Sequence, residues 1–206
     1  MYLPRSRWMI LCLRISQLSR AVPICNQGFS FDEEYLACFL QCVLVGSSDP
    51  ELVRRPKVKR ALTHSRRLAD RIQSAARLDE HGQRIWNPER ERVRNVVVKL
   101  ARGHAAFELS LPQIGEPREV VFLPHSVMLR RERETFEKAG GGEFRGWPEV
   151  GSRAFLRACG AEPYAGQQGP WIVVQPGQYR YSIDQHGGVR VQMVLAEYLA
   201  CVVDWE

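Results

Sequence analysis

Trp171-Ile172-Val173-Val174-Gln175, Pro176-Gly177, then Gln178 to Asp184: this run near the end of the chain decides the fold. Its first four residues are aromatic or β-branched, the next apolar break is a Pro-Gly turn pair, and Tyr179, Tyr181 and Ile183 then recur at every second position. A period of two sends alternate side chains to opposite faces of a strand. Gln185-His186-Gly187-Gly188 has the composition of a hairpin loop. Val189, Val191, Met193 and Leu195 resume the alternation, and Leu199, Cys201, Val203 and Trp205 continue it past a bulge or break near Ala196-Glu197. Strands joined by short turns make an antiparallel meander with one apolar face, and that face needs a cover.

Upstream segments supply it. Tyr35, Leu36, Phe39, Leu40, Val43 and Leu44 recur at helical spacing until Gly46-Ser47-Ser48-Asp49-Pro50 stops them. Glu51 to Leu78 is expected to be helical, with a break at Pro56. Asn87-Pro88-Glu89 offers an N-cap, a proline for the first turn and an acid. Val93, Val96, Val97, Leu100, Ala101, His104 and Phe107 then share one face of a helix running through Glu108, which should be the central buried helix. Glu119 to Leu123 has strand character. Val127 to Lys138 should be a charged helix, ended by a flexible Gly140-Gly141-Gly142 loop that lacks the context of a phosphate loop. Trp147 to Arg153 is expected as a turn plugging the sheet edge; the sharper alternative has Trp147 stacking on a base and Arg153 meeting the backbone.

The class that follows is α+β. A helical layer (31–108 with 127–138) packs on a C-terminal antiparallel β-meander at 165–206, with a mixed stretch at 109–160. A length of 206 residues is enough for one well-buried domain. A net charge of +6 and a pI of about 9.2 tilt the chain toward polyanionic partners. Cys12, Cys25, Cys38, Cys42, Cys159 and Cys201 form no paired framework and suit reduced thiols in a cytoplasmic protein. The apolar run Trp8 to Leu13 is too short to span a bilayer and lacks a signal-cleavage pattern, so no membrane association is expected.

Three groups of residues could carry chemistry. Between Arg54 and Arg77 stand nine basic residues against one acid, Asp70. Arg54, Arg55, Lys57, Lys59, Arg60, Arg66, Arg67 and Arg71 are therefore candidate nucleic-acid contacts, because phosphate binding needs clustered positive charge. The plainer alternative is a solvated helix face. His104 and Glu108 are four apart on the central helix and point the same way. They could act as a metal-binding or acid–base pair, with His125 as a possible third member. The plainer account is a core histidine bonded to a carboxylate or carbonyl. Cys38 and Cys42 share the same spacing but have no third ligand near in sequence, and fit small core residues better. His186, in a glycine turn, is expected to be exposed and without a catalytic role.

The last group is Cys25-Asn26-Gln27-Gly28-Phe29-Ser30-Phe31-Asp32-Glu33-Glu34-Tyr35. Cys25-Asn26 followed by Gly28 has the form of a zinc-knuckle corner, with a thiolate beside a turn. Ser30 and Glu33 fit a capping box, and Asp32, Glu33 and Glu34 would face the positive end of the helix that follows.

This stretch resembles the HNH endonuclease family, in the branch where Cys-x-x-Cys-Asn-x-Gly leads into a helix opening Ser-x-Asp-Glu-Tyr. The resemblance implies an endonuclease with a structural zinc on two cysteine pairs, a general-base histidine upstream, and a divalent metal on the scissile phosphate. Cys25 would be the second cysteine of the second pair, hence a lone zinc ligand in this chain. The first cysteine of that pair would fall at Val22, and no histidine precedes His64. No cofactor is therefore expected here, although the intact family implies zinc and a second divalent ion.

Residues 1–24 are basic, acid-free and without a period, and form an irregular arm ahead of a single domain at 25–206. They also invite a frame-shift reading. The sole codons for Trp8 and Met9, followed by the AT that opens every Ile10 codon, give Asp-Asp in a shifted frame, and permitted codon choices restore the missing cysteine. Residues 1–24 are then a frame-shifted or mis-started version of the nuclease core. The expected function is a truncated or degenerate HNH-like protein that binds nucleic acid without metal-dependent cleavage. The alternatives are an intact HNH-like endonuclease, and a structural or protein-binding module that nucleic acid does not touch.

Overall fold

The computed structural model describes residues 23–78, 80, 82, 84–139, 148–160, 167–185 and 187–206, with the backbone alone described at 23–30 and 167. The expected basic arm, the Gly140-Gly141-Gly142 loop, Trp147 and His186 lie outside these residues. The helices are α1 (Pro23–Val45), α2 (Pro56–His64), α3 (Arg66–Ser74), α4 (Arg90–Leu109), α5 (Arg130–Glu137) and α6 (Arg153–Ala158), with single 3-10 turns at Pro50–Leu52 and His125–Val127. The strands are β1 (Ala76–Leu78), β2 (Arg84–Trp86), β3 (Glu119–Pro124), β4 (Gln167–Gln168), β5 (Trp171–Gln175), β6 (Tyr179–Gln185), β7 (Val189–Leu195) and β8 (Leu199–Trp205).

The class is α+β. β5 to β8 form the antiparallel meander, and the whole sheet has the order β3-β8-β7-β6-β5-β4. β3 joins the far edge by pairing with β8, Glu119 opposite Asp204 and Pro124 opposite Leu199. Ala196 and Glu197, both with positive φ, close the β7–β8 hairpin, and Tyr198 N–H donates to Leu195 O. The expected bulge or break is thus a break, a tight turn of the kind that matches strand twist.

Alternation along the strands produces two faces. Tyr179, Tyr181, Val191, Met193, Leu199, Cys201 and Val203 join Val93, Val97 and Ala101 of α4 and Tyr35 and Phe39 of α1 in one buried cluster. Trp171, Val194 and Ala200 point the other way and pack on Phe136 and Ala139. α5 therefore covers the opposite face of the sheet instead of joining the main helical layer. The reason lies at the sheet edge. After β3, His125 N–H donates to Tyr198 O, which carries the chain around β8 to a face that would otherwise leave Trp171, Val194 and Ala200 in water.

Several local expectations change. α1 is already helical at Pro23, so Ser30 lies inside the helix and not at its start. A proline suits the first helical turn, where its missing N–H costs nothing. The acids that follow are used across helices instead: Asn95 Nδ2 donates to Asp32 at 2.8 Å, and Lys99 Nζ to Glu33 at 2.8 Å. Pro56 begins α2, and Ser65 breaks the segment by capping α3 through Leu68 N–H. Residues 76–78 are a strand paired with 84–86, not helix. α4 starts at Arg90 with Glu89 as its cap, while Asn87 N–H donates to Ala75 O and closes that hairpin. α4 is buried on more than one side, including Val98 and Ala105, because it lies between α1 and the sheet. Of the expected turn, residues 148–152 lead into α6, where Ser152 accepts from Phe155 N–H.

Among the described residues no helix is long and apolar enough to cross a membrane.

Candidate functional site

The basic segment folds into two short helices held by few anchors. Val58 and Leu62 point inward from α2, Ile72 from α3, and Val53 from the loop before them. Ala61, Leu68 and Ala69 pack partly against the same core, and the charged side chains between them are turned outward. Arg54, Arg55, Lys57, Arg60, Arg66, Arg67 and Arg71 are exposed, and Lys59 is half-buried. The sequence-assigned cations therefore stand at the surface of α2, α3 and the loop before them.

Their pairing is uneven. Lys59 Nζ sits 2.7 Å from Glu51 Oε2, and Arg71 Nη2 sits 2.5 Å from Glu89 Oε2. Arg55 donates to the Gln178 side chain in the β5–β6 turn, and Arg60 Nε to the Pro56 carbonyl at 3.4 Å. Neither of those contacts neutralises charge. Arg54, Lys57, Arg66 and Arg67 have no ion-pair partner among the described residues. The α2 and α3 first turns contain no acid, so the positive helix ends add to the side-chain charge.

His104 and Glu108 are placed differently. Both point from α4 into the sheet face and are 2% and 0% exposed. The imidazole Nε2 meets the Tyr179 hydroxyl and stacks on the Tyr181 ring at a centroid distance of 3.7 Å. Tyr181 donates to Glu108 Oε1, and Arg157 Nη1 of α6 comes within 2.5 Å of Glu108 Oε2. That last approach is a charge pair without the alignment of a hydrogen bond. Burial pushes the His104 pKa down to about 3, so the ring is neutral at physiological pH. The catalytic alternative required these side chains to converge on a pocket. They instead form a sealed core network, and His104 bonds a tyrosine, not a carboxylate or carbonyl.

His125 lies elsewhere, on the far face with α5. Its Nε2 is 3.1 Å from Glu137, which Arg180 grips through both oxygens at 2.7 and 2.8 Å. Burial lowers the His125 pKa against the opposing pull of Glu137. Arg180 also reaches Glu197 and lies 4.4 Å over the Trp171 ring, beside a shallow cavity of about 330 Å³. Every charge there already has a partner, so the cluster fastens α5 to the sheet.

Cys38 and Cys42 are buried at 1% and 0%, and burial raises their thiols to about 12 and 11. They behave as small apolar groups, as expected from the lack of a third ligand near them in sequence. The Cys25 side chain lies outside the described side chains. Among the described residues, no three His, Cys, Asp or Glu side chains gather into a metal site.

The network partners Tyr179 and Tyr181 were visible in sequence only as alternating strand residues. Arg157 carried no signal, since its six-residue helix is too short to show a period. No family model, curated protein or solved structure matches this chain.

Proposed function

We propose that this chain binds nucleic acid through phosphate contacts from the basic surface of α2, α3 and the loop before them, and does not itself cleave it. One observation carries the proposal: Arg54, Lys57, Arg66 and Arg67 stand exposed with no carboxylate among the described residues to neutralise them, on a scaffold whose apolar anchors are spent inward. Unpaired cations on one surface gain most from phosphate, because binding releases the counterions condensed on the polyanion. The resemblance of residues 25–45 to an HNH endonuclease tail supports nucleic acid as the polyanion. The same resemblance argues against cleavage by these residues. Of the family's zinc and general-base positions only Cys25 is matched, Val22 occupies its partner's place, and His104 is committed to Tyr179.

The test is binding of the purified chain to labelled DNA and RNA across a salt series, beside a plasmid-cleavage assay in magnesium and manganese. The expected result is salt-dependent binding and no nicking. No binding at low salt, or chelator-sensitive nicking by protein carrying stoichiometric zinc, would refute the proposal.

A further inference from the structure

The eight candidate contacts are not equivalent. Six of them, Arg54, Arg55, Lys57, Arg60, Arg66 and Arg67, carry charge with no carboxylate within ion-pair distance among the described residues, whereas Lys59 and Arg71 are each held by an acid from outside their own helix. Glu51 belongs to the 3-10 turn that precedes α2, and Glu89 is the cap of α4. Glu89 is also held by Arg92 Nε at 3.0 Å, so it is fixed in place from two sides. Asp70 is the contrasting case: an exposed acid on α3 itself, with no cation in ion-pair contact among the described residues.

Resting on the nucleic-acid reading above, we infer that Glu51 and Glu89 are built-in competitors of the phosphate backbone. They hold Lys59 and Arg71 out of the contact set and thereby set the affinity and salt dependence of the basic surface. The physical argument is an exchange. A free cation trades water and counterions for a phosphate oxygen, whereas Lys59 and Arg71 must first surrender a carboxylate at 2.7 or 2.5 Å. For exposed pairs that surrender costs up to about 1 kcal/mol, which is comparable to what one phosphate contact returns. A carboxylate at the same surface also repels the approaching phosphate.

The experiment compares E51Q, E89Q and D70N with the unaltered chain, using anisotropy of a labelled DNA duplex from about 50 to 200 mM salt. Circular dichroism and thermal melting confirm that each variant is folded. E51Q and E89Q should each bind about two- to five-fold tighter and steepen the slope of log K against log salt by about 0.9, one extra phosphate contact apiece. D70N removes the same charge but releases no cation, so its slope should match that of the unaltered chain. E51Q carries the test independently of E89Q, because Glu51 is exposed and outside the α4 cap. Unchanged slopes in both glutamine variants, with normal binding by the parent, would overturn the inference and leave the binding proposal standing. Equal steepening in D70N would also overturn it, by showing a general charge effect. Absence of any binding by the parent would overturn both.

Discussion

Arg157 Nη1 lies 2.5 Å from Glu108 Oε2 where α6 meets α4, with the carboxylate fully buried and the guanidinium only a tenth exposed. Buried pairs cost much to desolvate, and removing one partner strands the other. Arg157→Met should therefore destabilise the protein by about 3–5 kcal/mol. Adding Glu108→Gln should recover part of that loss, because the stranded charge disappears while the Tyr181 contact survives. Denaturant unfolding of the two single variants and the double variant measures the coupling. Simple additivity would show that the pair is not a unit.

His104 predicts the pH dependence. Its pKa is about 3 folded, against an ordinary value near 6.5, so the unfolded chain binds one more proton between those limits. Stability should fall as pH falls through that window, at about 1.4 kcal/mol per pH unit, and should be flat from this source above pH 7. His125 adds a weaker trend in the same direction, since burial also lowers its pKa. Unfolding curves for the unaltered chain and His104→Gln at several pH values should show a shallower slope in the variant. Parallel slopes would mean that His104 is not buried and neutral.

Two turn positions should respond in opposite senses to nearly the same change. Ala196 has a φ of 57°, in the left-handed region where a Cβ is unfavourable. Ala196→Gly should stabilise the hairpin by about 0.5–1 kcal/mol. Gly188 has a φ of 149°, and a Cβ there would collide with the Trp205 carbonyl oxygen. Gly188→Ala forces β7 and the end of β8 apart and should cost about 2 kcal/mol or more. Melting temperatures of the two variants should move to either side of the parent.

The basic surface can be neutralised without touching the core. Replacing Arg54, Lys57, Arg66 and Arg67 together with glutamine removes no buried contact, so the melting temperature should barely move. The slope of log K against log salt for duplex binding should become shallower by about 3–4, close to 0.9 per lost phosphate contact. Unchanged affinity would instead favour a protein-binding or structural role for this surface.

The meander was legible because apolar residues recur at every second position from Tyr179 to Ile183, from Val189 to Leu195 and again from Leu199 to Trp205, and because Pro176-Gly177 and Gly187-Gly188 mark two of its turns. α4 was legible for a related reason: a valine-rich face repeats over 20 residues. Elsewhere local signals lost to tertiary ones. Ser30 and Glu33 have capping-box spacing, but Glu33 is taken by Lys99 and Asp32 by Asn95. The β1–β2 hairpin has three-residue strands, too short to show any period. Val127 to Lys138 was recognised as helical, yet nothing in its own sequence says which face of the sheet Phe136 will cover. The basic surface was readable as charge, but its division into paired and unpaired cations depends on Glu51 and Glu89, which meet them only after folding.

The pairing of β3 with β8 sets Val120 opposite Val203, more than eighty positions later in the chain. β5 to β8 can zip together through short turns, but β3 must wait for its neighbour to exist, and closing so long a loop makes it a slow, late step in assembly. On the ribosome, α4 and β3 emerge long before the strands that bury them, leaving valine-rich surface uncovered in the interval. A chain stopped before Leu199 would leave β3 without its pairing strand and take Cys201, Val203 and Trp205 out of the core, which makes aggregation the expected fate of that truncation.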